Sequence, residues 1–157
     1  MTEITLRRTE REDLARLFEI QKDEKGNWLA AFTNADPTDE TAFVDKWERI
    51  LADPTTNNQT IVVDGTIVGS VAKFEMSGEA EITYWIDRGY WGKGIATQAV
   101  RSLLSIEETR PLTARVAFDN IGSQNVLERC GFERIGSDRG FANARQCEIE
   151  EVIYRLL

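Results

Sequence analysis

The segment Y-W-I-D-R-G-Y-W-G-K-G-I-A-T, Tyr84 to Thr97, constrains the fold more than any other part of the chain. It opens with aromatic and β-branched residues of the kind that fill strands. Gly89, Gly92 and Gly94 then allow a tight turn. Beyond them Ile95, Ala99, Val100, Leu103 and Ile106 recur at helical spacing. A strand that runs through such a turn straight into an amphipathic helix belongs to a sheet covered by helices.

The flanking sequence extends the pattern. Ile4 to Arg8 reads as a strand, and Thr9 with Glu12 three residues on reads as a capping box before a helix carrying Leu14, Leu17 and Phe18. Residues 23–36 read as loop, and a second helix begins near Asp39 with Phe43, Trp47, Ile50 and Leu51, ending by Pro54. Thr60 to Val63 and Thr66 to Phe74 form strands joined by Asp64-Gly65, a hairpin signal, and Glu79 to Ile86 continues after Ser77-Gly78. After the glycine turn and its helix come an alternating strand from Leu112 to Phe118 and a short helix over Ser123 to Arg129. Strands near Phe132 to Ser137 and Gln146 to Leu156 close the chain. The expected fold is α/β in the order β-α-α-β-β-β-α-β-α-β-β: a mixed, mostly antiparallel central sheet of about seven strands flanked by about four helices. With no repeat, linker or low-complexity run, residues 1–157 are expected to form one domain.

Composition restricts the chemistry. There is no histidine, and the two cysteines, Cys130 and Cys147, cannot make a zinc site, so no metal is expected. Ser-His-Asp and Cys-His catalysis are ruled out, and proton transfer falls to a tuned carboxylate, a tyrosine, a backbone amine or water. Nineteen basic against twenty-seven acidic residues give a net charge of −8, which disfavours nucleic acid and anionic membranes as partners and suits a basic or amine-bearing one. No apolar run approaches the roughly 18 to 20 residues of a membrane span. The opening M-T-E-I-T-L-R-R lacks an apolar signal core, so the expected location is the cytoplasm.

The N–H groups of the first helical turn after Gly94 have no internal acceptor, and the helix dipole favours an anion there. Lys93 adds a positive charge, and the whole suits a pyrophosphate. A Walker loop does not fit, because G-Y-W-G-K-G has the wrong spacing and ends in glycine. A dinucleotide fingerprint fails because Thr97 occupies the third glycine's place and the strand order is not a repeated β-α-β. A coenzyme A loop and a bare glycine turn remain.

The chain resembles the GNAT superfamily of N-acetyltransferases, and most of all its ribosomal-protein N-terminal acetyltransferase branch, the RimJ/RimL type. The resemblance rests on Tyr84-Trp85-Ile86, on Y-W-G-K-G-I-A-T from Tyr90 to Thr97, and on D-N-I-G-S-Q-N-V-L-E-R-C-G-F from Asp119 to Phe132. Two separate signatures at the right separation, in an order of elements matching nearly the whole chain, make it specific. In the superfamily's Q/R-x-x-G-x-G/A motif Gly94 and Ala96 hold the small positions, and Trp91 stands where Gln or Arg is usual.

The resemblance implies acetyl transfer from acetyl-CoA, as co-substrate, to a primary amine, either a protein N-terminus or a small molecule, by direct attack in a ternary complex. It implies that the pantetheine arm runs along the backbone of Tyr84, Trp85 and Ile86 and that the pyrophosphate meets the amides of Gly92, Lys93, Gly94, Ile95, Ala96 and Thr97, with Trp91 also among the cofactor-binding residues. Asn120, Ser123 and Asn125 are implied near the pantetheine and thiol, with Glu81 as general base and Ser123 as donor to the leaving thiolate, Tyr84 or Tyr90 being the other candidate donors. Trp28 and Phe32 are implied in the wall of the acceptor cleft. Each side chain also has an ordinary reading: Asn120 and Ser123 as helix caps, Glu81 as a solvated strand residue, Trp28, Phe32 and Trp47 as core. A non-catalytic acyl-CoA-binding or sensor domain and a protein-interaction module built on Trp28 to Phe32 are the competing functions. The chain is expected to act as a monomer or homodimer.

Overall fold

The computed structural model describes residues 2–157. Seven strands form one sheet: β1 (Thr5–Arg8), β2 (Asn57–Val63), β3 (Thr66–Met76), β4 (Glu79–Ile86), β5 (Leu112–Ala117), β6 (Glu133–Ala142) and β7 (Cys147–Leu156). Their spatial order is β1-β2-β3-β4-β5-β7-β6, and every neighbouring pair is antiparallel except β4 with β5. The helices are α1 (Leu14–Gln21), α2 (Glu24–Ala30), α3 (Glu40–Ala52), α4 (Ile95–Ile106) and α5 (Ile121–Arg129). The expected mixed, mainly antiparallel α/β sheet is therefore what forms.

Strand alternation sorts the core into two layers. Ile82 and Ile86 of β4 join Ile95, Val100 and Leu103 of α4 and Leu127 of α5 in the larger cluster. Leu14, Leu17 and Phe18 of α1 pack with Phe43 of α3 in a second cluster, against which Trp47 and Trp85 lie partly buried. The side chains of β4 thus alternate between the two, as a period of two requires.

Three differences from the sequence expectation have physical causes. The stretch expected as loop contains α2, making five helices in place of about four. Seven residues with an internal glycine show no apolar stripe; side chains hold this helix, Asp23 accepting from the Gly26 N–H (2.8 Å) and the Asn27 amide donating to the Gln21 and Asp23 carbonyls. The capping box lies one residue later than expected, with Asp13 accepting from the Glu10 N–H at 2.9 Å. Thr9 is buried instead, its hydroxyl 2.9 Å from that of Thr60. Finally, β6 runs on to Ala142 and β5 stops at Ala117, which leaves Phe118 exposed.

Candidate active site

The sheet parts between β4 and β5. These strands share a single register pair, Glu81 with Thr113, and diverge beyond it. On its other side β4 is fully paired with β3, and the Asp87 N–H donates to the Val68 carbonyl at 2.7 Å. Antiparallel pairs alternate, so residues 81, 83 and 85 turn their backbone groups toward β3 and residues 82, 84 and 86 turn theirs toward β5. Past Glu81 the strand that would have met them is gone. The peptide groups of Tyr84 and Ile86 therefore face an open slot, and the Trp91 indole N–H takes the Ile86 carbonyl at 2.9 Å.

The slot is part of a cleft of about 1480 Å³ that reaches both faces of the sheet. Register between β2 and β3 shifts past Ile61, where Gly69 faces it, and a Cβ on Gly69 would lie 2.1 Å from the Trp85 carbonyl oxygen. Only glycine lets β3 come this close to β4.

At the end of the slot, Gly92 and Gly94 adopt φ of 76° and 75°, a left-handed conformation costly for other residues. Gly94 is the N-cap of α4, so the N–H groups of Ile95, Ala96 and Thr97 have no helical acceptor. Arg16 on α1 forms an ion pair with Asp87, which also accepts from the Gly89 N–H, and so ties down the turn. Gly92, Gly94, Ile95, Ala96 and Thr97 line the cleft, as does Trp91; Lys93 is exposed and does not.

Opposite the turn stands the start of α5. Asn120 is its N-cap, accepting from the Ser123 N–H at 3.3 Å and donating to the Leu29 carbonyl of α2. Ser123 itself is not the cap. Its hydroxyl lies 2.5 Å from the phenol of Tyr84. Burial pushes that phenol up to about 12, against the opposing pull of the Ser123 hydrogen bond. Asn125 is exposed and lies outside the cleft lining.

On the other face of β4, Glu81 is 8% exposed and lines the same cleft. Burial raises its carboxyl above the ordinary range; Arg115 opposes the shift, while Glu79 and Glu151 add to it. Arg115 of β5 approaches Glu81 only to 3.8 Å, its guanidinium being hydrogen-bonded to Glu151 of β7 at 2.9 Å.

The remaining wall is α2 and the chain after it. Phe32 lines the cleft, and its ring lies 3.4 Å from where a Cβ on Gly140 of β6 would stand. Trp28 is 53% exposed, so it is not core, and it is not among the residues that line the cleft; Arg145 stacks on its ring at 4.7 Å. Trp47 is packed against Phe43 and also lines the cleft.

Sequence reading missed Arg115, Glu151 and Arg145. The available signals were a lone arginine inside the apolar alternation of Leu112 to Ala117 and an acidic residue, Glu151, in a strand of β-branched residues.

The family pattern described as the acetyltransferase (GNAT) domain matches residues 3–133. The chain belongs to the GNAT acetyltransferase family. Such an enzyme draws its acetyl group from acetyl-CoA and delivers it to nitrogen, and this chain is an N-acetyltransferase of that kind. It is 33% identical to the "Putative ribosomal N-acetyltransferase YdaF" of Bacillus subtilis (strain 168), over 98% of this acetyltransferase and 91% of that protein. It is 27% identical to the "Uncharacterized N-acetyltransferase p20" of Bacillus licheniformis, over 98% and 92% of the two chains. Among solved structures, the microcin C7 self-immunity acetyltransferase MccE, in complex with acetyl-CoA and AMP, superposes with a TM-score of 0.83 at 22% identity, over 99% of this chain and 92% of that one. The RimL ribosomal L7/L12 α-N-protein acetyltransferase, in complex with coenzyme A, gives 0.83 at 17% identity, over 100% and 95%. At these identities the two structures share the fold.

Proposed function

We propose that acetyl-CoA and a primary amine meet from opposite faces of the sheet in the slot between β4 and β5, and that the amine attacks the thioester directly. The observation that carries this reading is the single register pair between the two strands, beyond which the backbone of Tyr84 and the N–H of Ile86 have no partner from β5 and face the slot. The pantetheine amides add there as a short strand would. The pyrophosphate takes the free N–H groups of Ile95, Ala96 and Thr97, where the dipole of α4 favours negative charge. The amine enters past α2, α3 and Phe32, on the face that carries Glu81.

An ammonium has no lone pair to attack with. Glu81 takes its proton, directly or through a water, and its burial makes it a stronger base than an exposed carboxylate. The amine nitrogen then bonds to the thioester carbon, whose oxygen becomes an oxyanion held by the slot-facing N–H of Ile86. Collapse of that intermediate breaks the carbon–sulfur bond, and the new amide nitrogen gives up its remaining extra proton to water. The Tyr84–Ser123 pair donates a hydrogen bond to the departing thiolate: one hydroxyl points at the sulfur and the other supports it.

The acceptor is an amine on a protein N-terminus or on a small molecule, and the net charge of −8 suits a cationic one. Among the described residues no helix is long and apolar enough to cross a membrane. A single domain over residues 1–157, a cytoplasmic location with Cys130 and Cys147 reduced, and action without nucleic acid complete the reading.

Glu81→Gln tests it. The amide keeps the shape and cannot accept the proton, so kcat falls by roughly 10²- to 10⁴-fold while acetyl-CoA affinity is kept. The deficit narrows as pH rises and more amine arrives unprotonated. A Glu81→Gln enzyme with wild-type kcat from about pH 6 to 9 removes Glu81 from the mechanism. Binding of acetyl-CoA with no thiol released to any amine would favour the non-catalytic sensor instead.

A further inference from the structure

Glu81 stands in a row of charges that the steps above leave unused. On the face of the sheet shared by the acceptor cleft, Arg115 of β5 lies between Glu81 of β4 and Glu151 of β7. The register explains the row. Thr113 is paired with Glu81, and Arg115, two residues on, points to the same face; Arg115 is paired with Ile153, and Glu151 lies two residues from that partner.

The guanidinium is not shared evenly. Its Nη1 donates to Glu151 Oε1 at 2.9 Å and stands 3.5 Å from Asp138 Oδ2 of β6, while its Nε remains 3.8 Å from Glu81 Oε1, beyond hydrogen-bond reach. Glu151 is the better placed of the two competing acids, with a side chain 15% exposed against 60% for Asp138. The other charged group that bears on Glu81 is Glu79, on its own strand and face; Lys46 and Arg49 of α3 line the same cleft, while Glu75 of β3 is paired with Ala80 and so points to the opposite face.

We propose that Glu151 is a positioning residue for the reaction: by holding the Arg115 guanidinium on its own carboxylate, it stops that cation from closing on Glu81 and leaves Glu81 free to take the acceptor's proton. The inference rests on Glu81 being the base. Removing the Glu151 charge acts twice in one direction, since it deletes a neighbouring anion and releases a cation already 3.8 Å away. Both favour the ionised form of Glu81 and weaken it as a base. Removing Arg115 acts the opposite way. A purely structural role for either residue would not produce shifts of opposite sign.

The experiment follows the Glu81 carboxyl by NMR titration in wild type, Glu151→Gln, Arg115→Gln, the double variant and Glu151→Asp, beside the pH profile of kcat and thermal unfolding of each. In Glu151→Gln the Glu81 midpoint falls by about one pH unit, toward that of an arginine-paired carboxylate. The acid limb of kcat follows it down, and kcat above neutrality drops roughly 3- to 10-fold with acetyl-CoA affinity unchanged. In Arg115→Gln the midpoint rises. Adding Glu151→Gln to Arg115→Gln changes kcat by less than about twofold, because the cation it would release is absent. Glu151→Asp keeps a carboxylate for Arg115 and restores a profile near wild type.

An unmoved Glu81 midpoint in Glu151→Gln, or an equal loss of kcat with and without Arg115, overturns the proposal. A midpoint that moves while the kcat profile stays put overturns Glu81 as base and upholds the control of Glu81 by Glu151.

Discussion

Tyr84→Phe removes one oxygen from the centre of the site and leaves the ring in the core. The phenol lies 2.5 Å from the Ser123 hydroxyl and is pushed by burial up to about 12. A thiol leaves with an ordinary pKa near 8.5, so full proton transfer from this phenol to the thiolate is uphill by about 3.5 pH units, or ~5 kcal/mol. In the proposed mechanism the pair therefore acts as a hydrogen-bond donor to the developing charge and stays protonated. A hydrogen bond to a charged group contributes ~1.5–3 kcal/mol, so Tyr84→Phe lowers kcat roughly 10- to 150-fold. The same change deletes a neutral buried hydrogen bond from the resting enzyme, ~1 kcal/mol, which lowers Tm by about 2–4 °C in a domain of this size. Thiol release under saturating acetyl-CoA measures the first effect and calorimetry the second. Because the phenol titrates only near 12, it imposes no fall in wild-type kcat up to about pH 10. Ser123→Ala costs a similar factor, and the double variant is far less than additive, since either loss breaks the same relay. Tyr84→Phe with kcat within about twofold of wild type, or a loss confined to KM for acetyl-CoA, refutes the reasoning.

Three further outcomes are expected. Gly69→Ala sets a Cβ 2.1 Å from the Trp85 carbonyl oxygen, so the β3–β4 ladder must shift; Tm falls, by order 1–3 kcal/mol of stability, and acetyl-CoA binding in calorimetry weakens with it, whereas an unchanged Tm would show that the approach is not tight. Gly94→Val meets no neighbour within 4 Å but demands φ of 75° from a β-branched residue; it costs ~1–2 kcal/mol and weakens acetyl-CoA binding, and wild-type affinity would show that the cradle lies elsewhere. Asp13 is raised by burial but held, on balance, below the ordinary carboxylate range by Arg7, the Glu10 N–H and Thr60. Its contribution is present above about pH 4, the ordinary range, and is lost as pH falls through the lower folded value, so Asp13→Asn removes ~1–2 kcal/mol at neutral pH and flattens the acid limb of stability; an unchanged slope in acid denaturation would contradict this.

What was legible in the sequence is what a few consecutive residues decide. Gly92 and Gly94 take the left-handed torsions that their turn requires, and Asp64-Gly65 closes the β2–β3 hairpin, both with positive φ. The helix stripes of α3 and α4 were equally plain, because their apolar residues recur over three turns or more. By contrast, α2 lacks a stripe, and its local sign is Asp23, which caps it by accepting from the Gly26 N–H three residues on; an Asp before a glycine without an apolar stripe reads equally as a turn. Tyr84 and Ser123 are 39 residues apart, and Arg115 and Glu151 are 36; the first pair depends on α5 starting beside β4, the second on β7 lying beside β5. The exposure of Trp28 was misjudged for a related reason. Its flat apolar ring reads as core or cleft, while its actual neighbour is Arg145, far along the chain.

That neighbour accounts for how the wall of the cleft formed by α2 and Phe32 keeps its place. α2 is too short to anchor itself by packing, and the turn between β6 and β7 holds it from outside. Arg145, whose side chain is only 5% exposed, donates to the Trp28 carbonyl and grips Asp119 with both ends of its fork. The Ala144 N–H reaches the Ala31 carbonyl at 3.1 Å, and the Asn143 amide reaches that of Thr33 at 2.7 Å. Between these ties Ala31 sits at φ 64° and ψ −56°, a γ-turn closed by the Phe32 N–H on the Ala30 carbonyl. This strained turn persists because the residues on either side are fixed. It redirects the chain so that Phe32 lines the cleft opposite the face of β4 that carries Glu81. Asp119 begins the segment whose next residue, Asn120, caps α5 and orients Ser123. One arginine thus bridges the α2 wall of the cleft and the segment leading into the helix that carries Ser123, so the two sides of the slot are braced through a turn that lies outside the cleft.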